Sequence, residues 1–320
     1  MCSKHSVFNL IQMKSTKRQA LILGLAASLL FSVTFIFNRL MSVNGGSWIW
    51  SSSLRFYWML PFFLGIVGYQ GGLKQLFREI QQDIIQWLVW STVGFGLFYA
   101  PLTFAAAYTP SWLLASTWQF TIIAGIILAP FINRNITGTQ QGFGSSAIFS
   151  GMILLGIIIM QVRHAKILPA ENILKGVIPV IIAAFAYPLG NRKMMQLTNG
   201  RLNVYQRVLG MILCSMPFWM ILSIYEIAAS NSFPTNGQYI QTFVIAIFSG
   251  VMATVLFFSA TDIARADERQ LAAVEATQSA EVLFALVGEV LILGSPLPDV
   301  YGVVGMALVM IGMTLHSLKG

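Results

Sequence analysis

The chain alternates between long apolar runs and short polar interruptions. Crossing the hydrocarbon core of a bilayer takes about 20 apolar residues in a helix. Ten runs approach or exceed that length: 20–41, 48–69, 85–107, 111–132, 143–162, 173–190, 204–228, 239–261, 270–293 and 300–317. The intervals carry turn signals at Asn44-Gly45-Gly46, Gln70-Gly71-Gly72, Thr109-Pro110, Asn199-Gly200 and Ser295-Pro296-Leu297-Pro298. None of them is long enough to hold a soluble domain. The pattern predicts an all-α integral membrane protein with ten transmembrane helices.

The pattern also repeats. Phe37-Asn38-Arg39-Leu40-Met41 closes the first run, and Gly190-Asn191-Arg192-Lys193-Met194 closes the sixth, with an offset of 153 for the Asn-Arg step. Arg55 recurs as Arg207 at an offset of 152, and Leu114–Gln119 recurs as Val274–Ser279 at an offset of 160. Their common order predicts a duplicated unit: a tail at 1–17, a first five-helix repeat at 18–165 and a second at 166–320. Five helices per half is an odd number, so the second half enters from the opposite side. The predicted architecture is a five-plus-five inverted repeat, which suits alternating access.

Composition sharpens the class. The chain is 56% hydrophobic and 9% charged, with a mean hydropathy of +0.73, whereas an ordinary soluble domain is about 25% charged. The net charge of +8 does not point to nucleic acid, because no basic tract interleaves with aromatics. The basic residues instead orient the chain. With the N-terminus in the cytoplasm, only Arg39, Arg55, Arg163, Lys166 and Lys175 of the 19 fall outside or in outer halves. Both termini are therefore expected inside a bacterial plasma membrane. Ala20–Met41 is too long for a signal-peptide core and reads as a retained first span, with Met13 as an alternative start. Cys2 and Cys214 are far apart, and His5, His164 and His316 are scattered, so no disulfide framework, metal site or cofactor is expected. No nucleophile–base set or nucleotide-binding loop is present, which argues against an enzyme.

Ionisable groups inside spans are costly, about 2.5–3.5 kcal/mol each at a helix centre on insertion scales. The ninth run holds Glu275, Glu281 and Glu289. At about 100° per residue the three fit one sector of about 120°, an acidic face aimed at a cavity or a partner. Glu281 lies deepest, where desolvation penalises the charged carboxyl; it is the candidate for exchanging a proton with a cationic substrate. The alternative is a carboxylate paired with Arg55 or Arg207. Glu275 is a second coupling candidate, nearer the rim. Arg55 and Arg207 read as snorkelling or paired arginines. Asn38 and Asn191 are amides at span ends, suited to bridging helices or touching substrate. Tyr99, Trp118 and Gln119 sit in an aromatic stretch, matched by Gln278 in the second half; Tyr187-Pro188 interrupts the sixth run. Aromatic walls suit organic cations. Arg39 and Arg192, at opposite faces, are candidate gates.

With these features the chain resembles the drug/metabolite transporter superfamily, and most closely its ten-span branch of multidrug resistance efflux transporters. The resemblance covers about residues 18–318 and rests on the Asn-Arg steps at 38–39 and 191–192 and on Ala115-Ser116-Thr117-Trp118-Gln119. It implies a secondary exporter of small organic molecules, drug-like or metabolite, working in the lipid bilayer as a monomer or homodimer. An amino-acid or related metabolite exporter is the nearest rival. A membrane enzyme acting on lipid-linked substrates is the rival from another class. Four-span relatives use a glutamate in their first span; runs one and six here carry none, so that exchange site does not transfer.

Overall fold

The structure, a computed structural model, describes residues 3–132, 143–165, 170–264 and 268–319. No strand occurs among them. The chain begins with α1 (Ser3–Val43), which runs on from the segment read as a tail straight into the first apolar run. Next come α2 (Trp48–Tyr69) and a short α3 (Leu73–Gln82). Then α4 (Ile84–Ser91), a π-helical turn over Thr92–Gly96 and α5 (Leu97–Ala105) form one rod. The pair α6 (Ser111–Trp118) and α7 (Phe120–Ile132) breaks at Gln119. It is followed by α8 (Phe143–Ala165), α9 (Ala170–Thr198) and α10 (Val204–Ser230).

A second interrupted rod comprises α11 (Asn236–Ile245), a π-helical turn over Ala246–Met252 and α12 (Ala253–Ala264). The next joins α13 (Glu268–Ala276) to α14 (Ala280–Leu293) through a 3₁₀ turn, Thr277–Ser279; α15 (Val300–Lys319) ends the chain.

All ten apolar runs fall on helices. Eight helices among the described residues are long and apolar enough to cross a membrane by length and composition. The chain is a multi-pass membrane protein. α2 is not among the eight, because Ser51, Ser52, Ser53 and Arg55 dilute it, and all four are buried against neighbouring helices rather than facing outward. Arg134, Lys166 and Arg265, used in reading the orientation, lie outside the described residues.

The turn signals act as expected: Gly45, Gly71 and Gly200 adopt φ of +76°, +69° and +73°, a region that side chains disfavour. Helix starts are capped locally. Asn203 and Thr235 each form a reciprocal capping box with the glutamine three residues on. The same glutamines tie neighbours together, since Gln206 Nε2 donates to the Gly72 carbonyl and Gln238 Nε2 to the Ser47 carbonyl, both at 2.9 Å.

Packing follows a regular scheme. α1 lies along α12 and α14, and α9 lies along α5 and α7. α2 pairs with α10, and α8 with α15. Where α9 crosses the π turn, Gly190 meets the backbone of Gly94, so neither position has room for a side chain. In lipid such close approach replaces the hydrophobic drive that packs soluble helices.

Candidate functional site

Helix interruptions prepare the site. A break or π turn leaves carbonyls without their usual donors, and these must be satisfied inside the protein. At the break beside α13, Ser28 Oγ donates to the Thr277 carbonyl at 2.7 Å, and Gln278 Nε2 donates to Ser28 Oγ at 3.3 Å. The interruptions turn side chains toward a central cavity of about 330 Å³. Its walls come from α1, α2, α5, α6, α7, α9, α10, α12, α14 and α15 and from the π and 3₁₀ turns.

The lining is aromatic with a few strongly polar groups. Phe98, Trp118 and Tyr187 form a triangle of rings with centroids 4.9 to 5.6 Å apart. Tyr187 and Asn191, four residues apart on α9, both face the cavity. Arg55, Arg207 and Glu281 supply the ionisable groups.

Arg55 is buried at 8% exposure, which excludes snorkelling. Its guanidinium carbon stands 4.2 Å from the Tyr99 ring centroid. Its Nη1 donates to Thr34 Oγ1 at 3.5 Å and its Nη2 to Ser249 Oγ at 3.3 Å, while Thr34 donates to Ser249 at 2.6 Å. The hydroxyl pair joins α1 to the second π turn and fixes the arginine between them. No ion pair joins Glu281 to Arg55 or Arg207 among the described residues. The paired-carboxylate reading therefore does not hold in this conformation.

The lining runs from the middle of the bundle toward the end where α10 starts and α12 and α15 finish, marked by Arg207, Phe258 and Met313. At the opposite end, hydrogen bonds tie helix ends together. Arg39 Nη1 donates to the Ala106 and Ala107 carbonyls at 3.1 and 2.8 Å. Glu289 is buried there; its Oε2 accepts from the Ser111 amide at 2.8 Å and its Oε1 from Ser295 at 2.9 Å.

Residues 18–320 match the family model EmrE, described as "Putative multidrug resistance efflux transporter". The chain belongs to the drug/metabolite transporter superfamily. It is a membrane transporter by family. It is 48% identical over 310 residues to the Bacillus subtilis protein "Uncharacterized protein YjlA", covering 93% of this chain and 94% of that one. It is 45% identical over 268 residues to a Shouchella clausii protein, "Uncharacterized 42.1 kDa protein in intracellular alkaline protease 3'region", covering 82% and 70%. A solved crystal structure shares the fold with a TM-score of 0.62 at 13% identity, over 92% of this chain and 95% of that one.

Of the residues read from this transporter's sequence, Trp118, Gln119, Tyr187, Asn191, Gln278 and Glu281 line the cavity. Asn38 and Tyr99 do not. They hydrogen-bond to each other at 3.0 Å behind the wall, where Tyr99 backs Arg55. Glu275 is exposed and away from the cavity, and Glu289 is bonded to Ser111 and Ser295 at the opposite end. The single acidic face therefore does not form. The 3₁₀ turn at Thr277–Ser279 lies between Glu275 and Glu281 and resets the helical count. Thr34 and Ser249 were missed; a lone hydroxyl inside an apolar run is the faint signal that marks each. Arg192 Nη1 donates to the Gly125 carbonyl on α7 at 2.6 Å.

Proposed function

We propose that the protein is a secondary exporter of small organic molecules, drug-like compounds or metabolites, coupled to protons through Glu281. In this reading it crosses a bacterial plasma membrane ten times with both termini in the cytoplasm. Its halves, 18–165 and 166–320, form an inverted repeat, and it works as a monomer or homodimer. The packing scheme supports the repeat. Exchanging halves carries α1 with α12 and α14 onto α9 with α5 and α7, and returns the α2–α10 and α8–α15 pairs to themselves. The two π turns and the two helix breaks also fall at matched places.

The observation that carries the function is the cavity: both halves line it, and it holds a buried carboxyl that no arginine among the described residues neutralises. A carboxyl so placed holds either a proton or a cationic group of the substrate. Loading one displaces the other, which is the competition that exchange requires. The Arg39 latch closes the external end, and the cavity reaches toward the cytoplasmic end.

The test is transport in inside-out vesicles with and without an imposed pH gradient. Gradient-driven accumulation of substrate that disappears in Glu281→Gln, at equal membrane expression, is the expected result. Accumulation by Glu281→Gln with the wild-type pH profile would remove the coupling role.

A further inference from the structure

We propose that the outer face of α3 binds anionic phospholipid, through a basic and aromatic surface that lies outside the cavity. The proposal is independent of the transport reading.

α3 (Leu73–Gln82) joins α2 to a candidate span that begins at Ile84. A segment in that place lies where lipid headgroups meet water. Its inner side is fixed to the protein. Leu76 and Ile80 are buried. Gln75 Nε2 donates to the Arg201 carbonyl at 2.6 Å, and Arg201 Nε donates to Glu79 Oε2 at 2.9 Å. These contacts set which side of α3 faces out.

The outer side carries Lys74, Phe77, Arg78 and Gln81, all exposed. At about 100° per residue the four fall within one sector of about 100°. Neither Lys74 nor Arg78 forms an ion pair among the described residues. The neighbouring acids are engaged elsewhere. Glu79 accepts from Arg201, and Asp83 caps α4 by accepting from the amide and side chain of Gln86. The face therefore holds two uncancelled positive charges around a phenyl ring that is 46% exposed.

Water suits those charges but not the ring, and hydrocarbon suits the ring but not the charges. The boundary between them suits both, with lipid phosphate at Lys74 and Arg78 and Phe77 reaching the upper acyl chains. The apolar surface continues on either side of α3. Ile84 and Ile85 are exposed at the start of α4, and Tyr69 is exposed at the end of α2; a tyrosine there fits the headgroup level. Charge selects the lipid. In phosphatidylcholine the choline offsets the phosphate, whereas phosphatidylglycerol keeps a net negative charge for the two bases.

The test uses the full chain with Cys2 and Cys214 replaced and a fluorescent label on Gln81→Cys, held in phosphatidylcholine nanodiscs. Brominated lipid quenches the label on contact. Brominated phosphatidylglycerol is expected to reach half-maximal quenching at a mole fraction at least about five-fold below that of brominated phosphatidylcholine, because one basic residue beside an anionic surface is worth about that factor. High salt should shrink the difference. Lys74→Gln combined with Arg78→Gln should remove it and leave quenching by phosphatidylcholine in place. Phe77→Ser should weaken quenching by both lipids. The comparison of the two lipids needs none of these three substitutions, so a variant that fails to fold does not decide it. Equal quenching by the two lipids would overturn the proposal, as would a preference that survives the double substitution. Quenching by neither would place the face in water, free for a soluble partner, and would overturn it too. Displacement of brominated phosphatidylglycerol by soluble glycerol phosphate would make the face a site for a free phosphate ester and overturn the lipid assignment.

Discussion

The two Asn-Arg steps share a sequence and differ in what they do. Asn38 is buried behind the cavity wall and bonded to Tyr99, while Asn191 lines the cavity beside Tyr187. Arg39 holds two carbonyls just past the end of α5, whereas Arg192 holds one carbonyl partway along α7. Matched positions thus sit in unmatched surroundings. Under the proposed alternating access, a carrier with one end closed shows this asymmetry, because the matched positions then lie at the closed and at the open end. In that reading the difference belongs to the conformation, and the opposite conformation should exchange the two environments.

The comparison breaks most completely at Glu281, the one carboxyl lining the cavity among the described residues. Glu281→Gln should abolish gradient-driven transport, measured as substrate accumulation in vesicles; Glu275→Gln, at an exposed position, should leave it near wild type. Next come the arginines. A lost charge-assisted hydrogen bond is worth about 1.5–3 kcal/mol, so each shifts a two-state balance by about ten-fold or more. Arg39→Ala should favour the outward-open state and Arg192→Ala the inward-open one, read by cysteine accessibility from each side. Equal shifts, or none, would make both arginines interfacial anchors. At the α9 crossing, Gly190→Val should cost about 1–3 kcal/mol by overpacking and lower the melting temperature in detergent. The smallest effects sharpen the asparagine contrast. Asn38→Ala should lose about 0.6–2 kcal/mol of stability and leave substrate affinity unchanged, whereas Asn191→Ala should change affinity more than melting temperature.

Much of the fold was legible because membrane helices announce themselves by length. The apolar runs and the glycine turns needed only residue types. What stayed hidden depends on hydrogen-bond register. The π turns at Thr92–Gly96 and Ala246–Met252 have no hydrophobic signature, and the 3₁₀ turn that displaces Glu275 from Glu281 breaks the angular count on which the acidic face relied. α3 was read as a polar connection, although Leu76 and Ile80 make it an amphipathic helix with a buried side. Arg55 showed its type but not its neighbours; only the fold brings Thr34, Ser249 and Tyr99 around it. The 114–119 and 274–279 match was the most useful faint signal, since both segments fall on helix interruptions beside the cavity.

The central claim is that one cavity opens to each side of the membrane in turn. Ile122 lines the cavity and carries no polar contact to lose. A single cysteine placed there, in a chain with Cys2 and Cys214 replaced, should react with a membrane-impermeant thiol reagent added from either side, in intact cells and in inside-out vesicles alike. Substrate should slow both reactions. Labelling confined to one side, unchanged by substrate, would contradict alternating access through this cavity.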